Sequence, residues 1–170
     1  MPIVSTLNDP TRTVVANAAI VPAGRLGSID VYASANTDLI IDINGYFAPP
    51  GPGALSLYTI TPCRVLDTRL PPVSRPTVGQ LDVPMTGGAC GIPANATAFA
   101  LNATVIPMVT LGLLELWPQG QPRPLASTLN AFDGALTSNM AIAPSTNGWI
   151  STLLSDLAYL FLDVSGYFAP

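Results

Sequence analysis

The chain contains no lysine and no histidine, and its six basic residues are all arginine. Without histidine it lacks the usual general base of serine and cysteine hydrolases. The same absence removes the imidazole of a mixed zinc site, and two cysteines cannot fill four zinc positions. Glu115 is the only glutamate, so a two-carboxylate glycosidase would need it beside a distant aspartate. No G-x-S-x-G elbow and no phosphate-binding loop occurs. These absences lead us to expect no enzyme, no catalytic residue, no cofactor and no metal site.

Charge of either sign is scarce. Asp, Glu, Lys and Arg make up 9% of 170 residues, where soluble domains carry roughly 25%. The net charge of −4 argues against a nucleic-acid partner. Little surface charge also means little repulsion between copies, which favours association. No stretch reaches the roughly 18 apolar residues of a membrane helix. Leu153–Val164 comes nearest, but Ser155, Asp156 and Asp163 interrupt it. Met1-Pro2-Ile3 has neither the basic nor the apolar region of a secretion signal, so the chain reads as mature or excised.

What the chain has in abundance is proline (18) and glycine (14), which punctuate short runs of Val, Ile, Leu, Thr and aromatics. That is an all-β pattern. It also repeats itself. Ser5-Thr6-Leu7-Asn8 returns as Ser127-Thr128-Leu129-Asn130, an offset of 122 (127 − 5). Asn17-x-Ala19-Ile20-x-Pro22 returns at the same offset as Asn139-x-Ala141-Ile142-x-Pro144. One residue is then lost, and Gly45-Tyr46-Phe47-Ala48-Pro49 returns as Gly166-Tyr167-Phe168-Ala169-Pro170. Residues 1–50 are therefore a half-unit, and 57–170 a full unit. The segment 49–56, Pro- and Gly-rich, reads as an extended, semi-stiff linker.

In the half-unit, strands are expected at Val14–Val21, Gly27–Ala33 and Asp38–Ile43. In the full unit they are expected at Leu57–Thr61, Arg64–Asp67, Gln80–Val83, Ala96–Ile106, Gly112–Trp117, Ser127–Asn130, Ser138–Ala143, Gly148–Leu154 and Ala158–Val164. The expected fold is a jelly-roll-like antiparallel β-sandwich with a related, strand-rich N-terminal arm. Gly112-Leu113-Leu114-Glu115-Leu116-Trp117 echoes Gly27-Ser28-Ile29-Asp30-Val31-Tyr32, through an older duplication or through one constraint met twice.

Several residue groups carry competing readings. Cys63 and Cys90 form either a disulfide or two buried thiols, and we expect the disulfide. It would close 26 intervening residues (90 − 63 − 1) and stabilise by roughly 3 kcal/mol in the chain-entropy model. Arg64, Asp67 and Arg69 suit an anion clamp or, preferably, structural ion pairs. Asp30, Asp38, Asp42, Asp156 and Asp163 lack the compact loop of a calcium site. Asn95-Ala96-Thr97 and Asn102-Ala103-Thr104 match the glycan acceptor pattern, with Asn95 and Asn102 as weak candidates. Tyr46-Phe47, Tyr167-Phe168, Trp117 and Trp149 serve either as a sugar-stacking platform or as core and interface plugs.

Thr61-Pro62-Cys63-Arg64-Val65-Leu66-Asp67-Thr68-Arg69, Cys90-Gly91-Ile92-Pro93, Leu101-Asn102-Ala103-Thr104-Val105, Ser127-x-Leu129-Asn130 and Asp163-Val164-x-Gly166-Tyr167-Phe168 together resemble a tandem repeat. The repeat is that of large secreted and surface proteins of environmental bacteria. The resemblance covers 57–170 in full and 1–50 as the second half of a unit. It implies an extracellular β-module and brings no activity, cofactor or catalytic residue.

A half-unit has half a core. Burying Ile20, Ile29, Val31, Leu39, Ile41, Ile43, Tyr46 and Phe47 requires another sheet, so these are the assembly candidates. The expected function is an extracellular structural module that self-associates head to tail with copies of itself, by exchange of β elements between subunits, into a filament or surface assembly. The alternative is a carbohydrate-binding adhesin module with glycans as partners.

Overall fold

The computed structural model describes residues 5–10 and 12–170. Met1–Val4 and Thr11, which belong to the expected half-unit, lie outside the described residues. The protein is all-β, and every strand pair is antiparallel. Seven strands are present among the described residues: β1 (Ser56–Asp67), β2 (Thr77–Pro84), β3 (Ala98–Pro107), β4 (Leu111–Pro118), β5 (Leu129–Ala131), β6 (Thr137–Pro144) and β7 (Trp149–Ala169). They form a barrel-like sandwich around β7.

β7 is 21 residues long because its apolar run is nearly continuous. Its first half pairs with β2 on one side and β4 on the other. Its second half pairs with β1 and β3. β5 extends the sheet beyond β4, and β6 extends it beyond β3. The corner between the halves is Ser155-Asp156-Leu157, the exposed middle of β7. There the Asp156 carboxylate accepts the Gly112 N–H at 2.8 Å, and the Ser155 hydroxyl accepts the Leu113 N–H at 2.8 Å. These side chains satisfy backbone donors that the strand ladder leaves open. Glycine at 112 leaves room for these two side chains, since a Cβ there would lie 2.9 Å from Ser155 Oγ.

Nine expected strands become seven for one reason. Leu57–Thr61 and Arg64–Asp67 merge into β1 across a register shift, as Gly148–Leu154 and Ala158–Val164 merge into β7. Bulges let one strand change direction without ending. The core lies between the faces of this bent sheet and includes Phe99, Leu101, Leu114, Ile150, Leu160 and Leu162, all essentially inaccessible. The Cys63–Cys90 disulfide is formed, with Cα atoms 5.7 Å apart. It ties β1 to the turn that precedes β3 and is compatible with an oxidising compartment. No helix among the described residues is long and apolar enough to cross a membrane.

The expected strands Val14–Val21, Gly27–Ala33 and Asp38–Ile43 are not formed; no strand precedes Ser56 among the described residues. The local pattern is right, but a strand exists only where a neighbour supplies the ladder. The linker, expected to be extended and semi-stiff, contains one turn. Pro52-Gly53 occupies a turn closed by the Ala54 N–H on the Gly51 carbonyl at 3.0 Å, with Gly53 at φ +75°. Pro followed by a positive-φ Gly is the type II turn preference.

Candidate assembly surface

The arm, residues 5–48, keeps two local features of its copy in the full unit. In the full unit, β6 and β7 are joined by Asn147-Gly148, with φ of 50° and 78°. The Trp149 N–H donates to the Thr146 carbonyl at 2.9 Å across this two-residue turn. In the arm, Leu26 and Gly27 hold φ of 60° and 75°, and the Ser28 N–H donates to the Arg25 carbonyl at 3.3 Å. Positive φ at both central positions is the hairpin turn matched to strand twist. A leucine accepts that conformation less readily than the asparagine in its copy. A second bond repeats as well. The Asn139 amide donates to the Thr128 carbonyl at 2.7 Å, and the Asn17 amide donates to the Thr6 carbonyl at 2.5 Å.

What the arm lacks is cover. Ile29, Leu39, Ile41 and Ile43 are 46–84% exposed, whereas their counterparts Ile150, Leu160, Leu162 and Val164 are all at 0%. Val31 is likewise exposed, and its counterpart Thr152 is buried. Ile20, Tyr46 and Phe47 are exposed too. In the full unit Tyr167 stacks on Tyr58 with ring centroids 5.3 Å apart, and Phe168 is buried. Each large side chain on this list stabilises by about 1.5–3 kcal/mol when fully buried.

The glycines make the same point from the backbone. A Cβ on Gly166 would meet the Tyr58 carbonyl oxygen at 2.9 Å and Leu57 at 3.2 Å, so glycine there lets β1 close in. Gly45, its counterpart, has nothing within 4 Å of a Cβ position. Gly45 thus has open space where β1 closes in on Gly166. Its contacts with the sandwich are sparse. The Ala18 N–H donates to Asn139 Oδ1 at 3.1 Å, Phe47 lies 6.1 Å from Phe168, and Thr13–Ala16 border a shallow cleft beside Asn130 and Phe132.

Arg64, Asp67, Arg69 and Asp163 form one ion-pair cluster. Arg64 forks onto Asp163 at 2.7 and 2.9 Å, and Arg69 onto Asp67 at 3.0 and 2.8 Å. Both guanidinium groups lie over the Phe161 ring, at 5.1 and 4.4 Å from its centroid. With both forks committed to carboxylates, this cluster offers no vacant anion clamp. The Arg69 guanidinium, above all, holds the Asp67 carboxyl below the usual carboxylate range. Asp42, the counterpart of Asp163, makes no ion pair among the described residues. The hydroxyl of Ser151, followed by the amides of Gln119 and Gln80, holds Asp82 below the usual range. The Gly112 N–H, followed by the Ser155 hydroxyl, does the same for Asp156. Asp30, Asp38, Asp42, Asp156 and Asp163 are not gathered into a metal-ligand group among the described residues.

The aromatics do not form one platform. Trp117 is buried and donates its indole N–H to the Gln121 carbonyl at 3.1 Å, while Trp149 is partly exposed on another strand. Asn95 sits exposed in the turn before β3. Asn102 is exposed within β3 and donates to Thr104 Oγ1 at 3.3 Å. One site escaped the sequence reading: Glu115 is buried and ion-paired with Arg123. The signal was a lone glutamate in an otherwise apolar strand, since a buried carboxylate needs a cation. The chain matches no protein-family model, no curated protein and no solved structure.

Proposed function

We propose that the chain is an extracellular structural module that self-associates through the β elements of its arm, building a filament or surface assembly. It carries no reaction and needs no cofactor. One observation carries this reading: the apolar side chains that fill the core of the full unit recur in the arm, where they stand in solvent. Apolar patches of this kind mark interaction sites in soluble proteins. The preformed turn and the open approach at Gly45 support pairing by strand addition. The low charge adds little repulsion between subunits. The disulfide supports an extracellular, oxidising setting.

Two measurements on the intact chain test the reading. Negative-stain images at high concentration should show assemblies without any added ligand, and a column of immobilised glycans should not retain the protein. Small particles held by glycans would replace this reading with a carbohydrate-binding one.

A further inference from the structure

We propose that the partner of the arm is the arm of a second copy, joined strand to strand about Val31. This rests on the self-association reading above and specifies its joint. In this structure the first half, residues 56–118, is paired with residues 123–170, and the apolar face of the arm stays open, so a substitute for a first half would cover it.

The arm's own sequence supplies the substitute. At a constant offset of 85 (102 − 17), Asn17, Ala18, Pro22, Leu26 and Gly27 are matched by Asn102, Ala103, Pro107, Leu111 and Gly112. Between and after them, Ile20-Val21 is matched by Val105-Ile106, and Ile29-Asp30-Val31-Tyr32 by Leu114-Glu115-Leu116-Trp117. In sequence, residues 17–32 therefore resemble β3–β4 of the first half as well as β6–β7 of the second. An element that resembles both halves can complete another copy of itself.

The register comes from the full unit. There β4 runs antiparallel to the start of β7, with Leu116 opposite Thr152, Leu114 opposite Leu154, and Pro118 opposite Ile150. Leu116 corresponds to Val31 at the offset of 85, and Thr152 corresponds to Val31 at the offset of 121 (152 − 31). The two residues at the centre of this strand pair are thus counterparts of one arm residue. Put an arm on each side, and Val31 faces Val31, Ile29 faces Ala33, and Asp30 faces Tyr32. The pairing is locally two-fold, so each strand keeps its faces. Ile29, Val31 and Ala33 point inward as Ile150, Thr152 and Leu154 do, and no like charges lie directly opposite. The in-chain contacts at Ala18 and Phe47 leave this stretch uncovered. Such a joint closes on itself, so a filament uses it together with a second contact made by the rest of the arm.

Cysteine scanning of the intact chain tests the register. Opposed Cα atoms in an antiparallel pair lie about 4.5–5.5 Å apart, within disulfide reach. In the same register, Ile29 lies four residues, about 13 Å, from its own copy. Under mild oxidation Val31→Cys should give one reducible dimer on a non-reducing gel. Ile29→Cys and Ala33→Cys should each stay single, and an equal mixture of the two should cross-link. Mass spectrometry of each variant should find Cys63–Cys90 intact, showing that the sandwich is folded. If Val31→Cys stays uncross-linked while light scattering still reports particles larger than one chain, arm-to-arm pairing is wrong and self-association stands. A strictly monomeric protein at every concentration overturns both.

Discussion

Removing residues 1–50 should turn the assembly into folded monomers. The sandwich loses almost nothing by this change. Its core is drawn from β1–β7, its disulfide lies within residues 63–90, and the described arm touches it at few points. The unfolding stability of residues 51–170 should therefore stay within about 0.5 kcal/mol of the intact chain. The apolar surface that drives association leaves with the arm. Sedimentation should fall from large particles to a single species of monomer size. A truncated chain that assembles as before would place the contact on the sandwich instead.

Truncating the same position in the two copies should give opposite readouts. Leu162 is at 0% exposure in β7, packed between β1 and β3. Leu162→Ala should cost about 2–5 kcal/mol of unfolding free energy, because it removes transfer energy and leaves a cavity. Ile41 is its counterpart in the arm and is 54% exposed. Ile41→Ala should leave the melting of the sandwich unchanged and instead raise the concentration at which particles form. Denaturant titration and light scattering on the two variants separate these effects. A destabilised sandwich in Ile41→Ala would mean that the arm packs on its own chain.

The sandwich was largely legible, because its local pattern and its neighbours agree. Period-two alternation places β3 at its observed inward residues, Phe99, Leu101 and Val105. The long strands were harder. Pro62 in β1 and Ser155-Asp156 in β7 look like strand ends, yet a register shift and a bent corner carry the chain through both. The arm marks the opposite limit. Ser28–Ala33 alternates as a strand should, and Leu39–Ile43 is apolar enough to be central, but hydrogen-bond ladders come from partners that sequence periodicity does not contain. The repeat was what picked out the assembly candidates, since it says which arm positions a completed unit would bury. The match between residues 17–32 and 102–117 was visible only at its Gly27–Tyr32 end. The Asn-Ala pair and the Pro that extend it are short polar and turn signals that β-strand reading passes over.

The central claim is that the arm becomes β-structure when subunits meet. Amide hydrogen exchange, resolved over residues 28–33 and 38–47, tests it most directly. In a dilute chain these amides should exchange as unprotected backbone, while those of β7 stay slow. In the assembled particle the same arm amides should slow markedly, with β7 unchanged. Arm amides that exchange at the unprotected rate within the assembled particle would contradict the account.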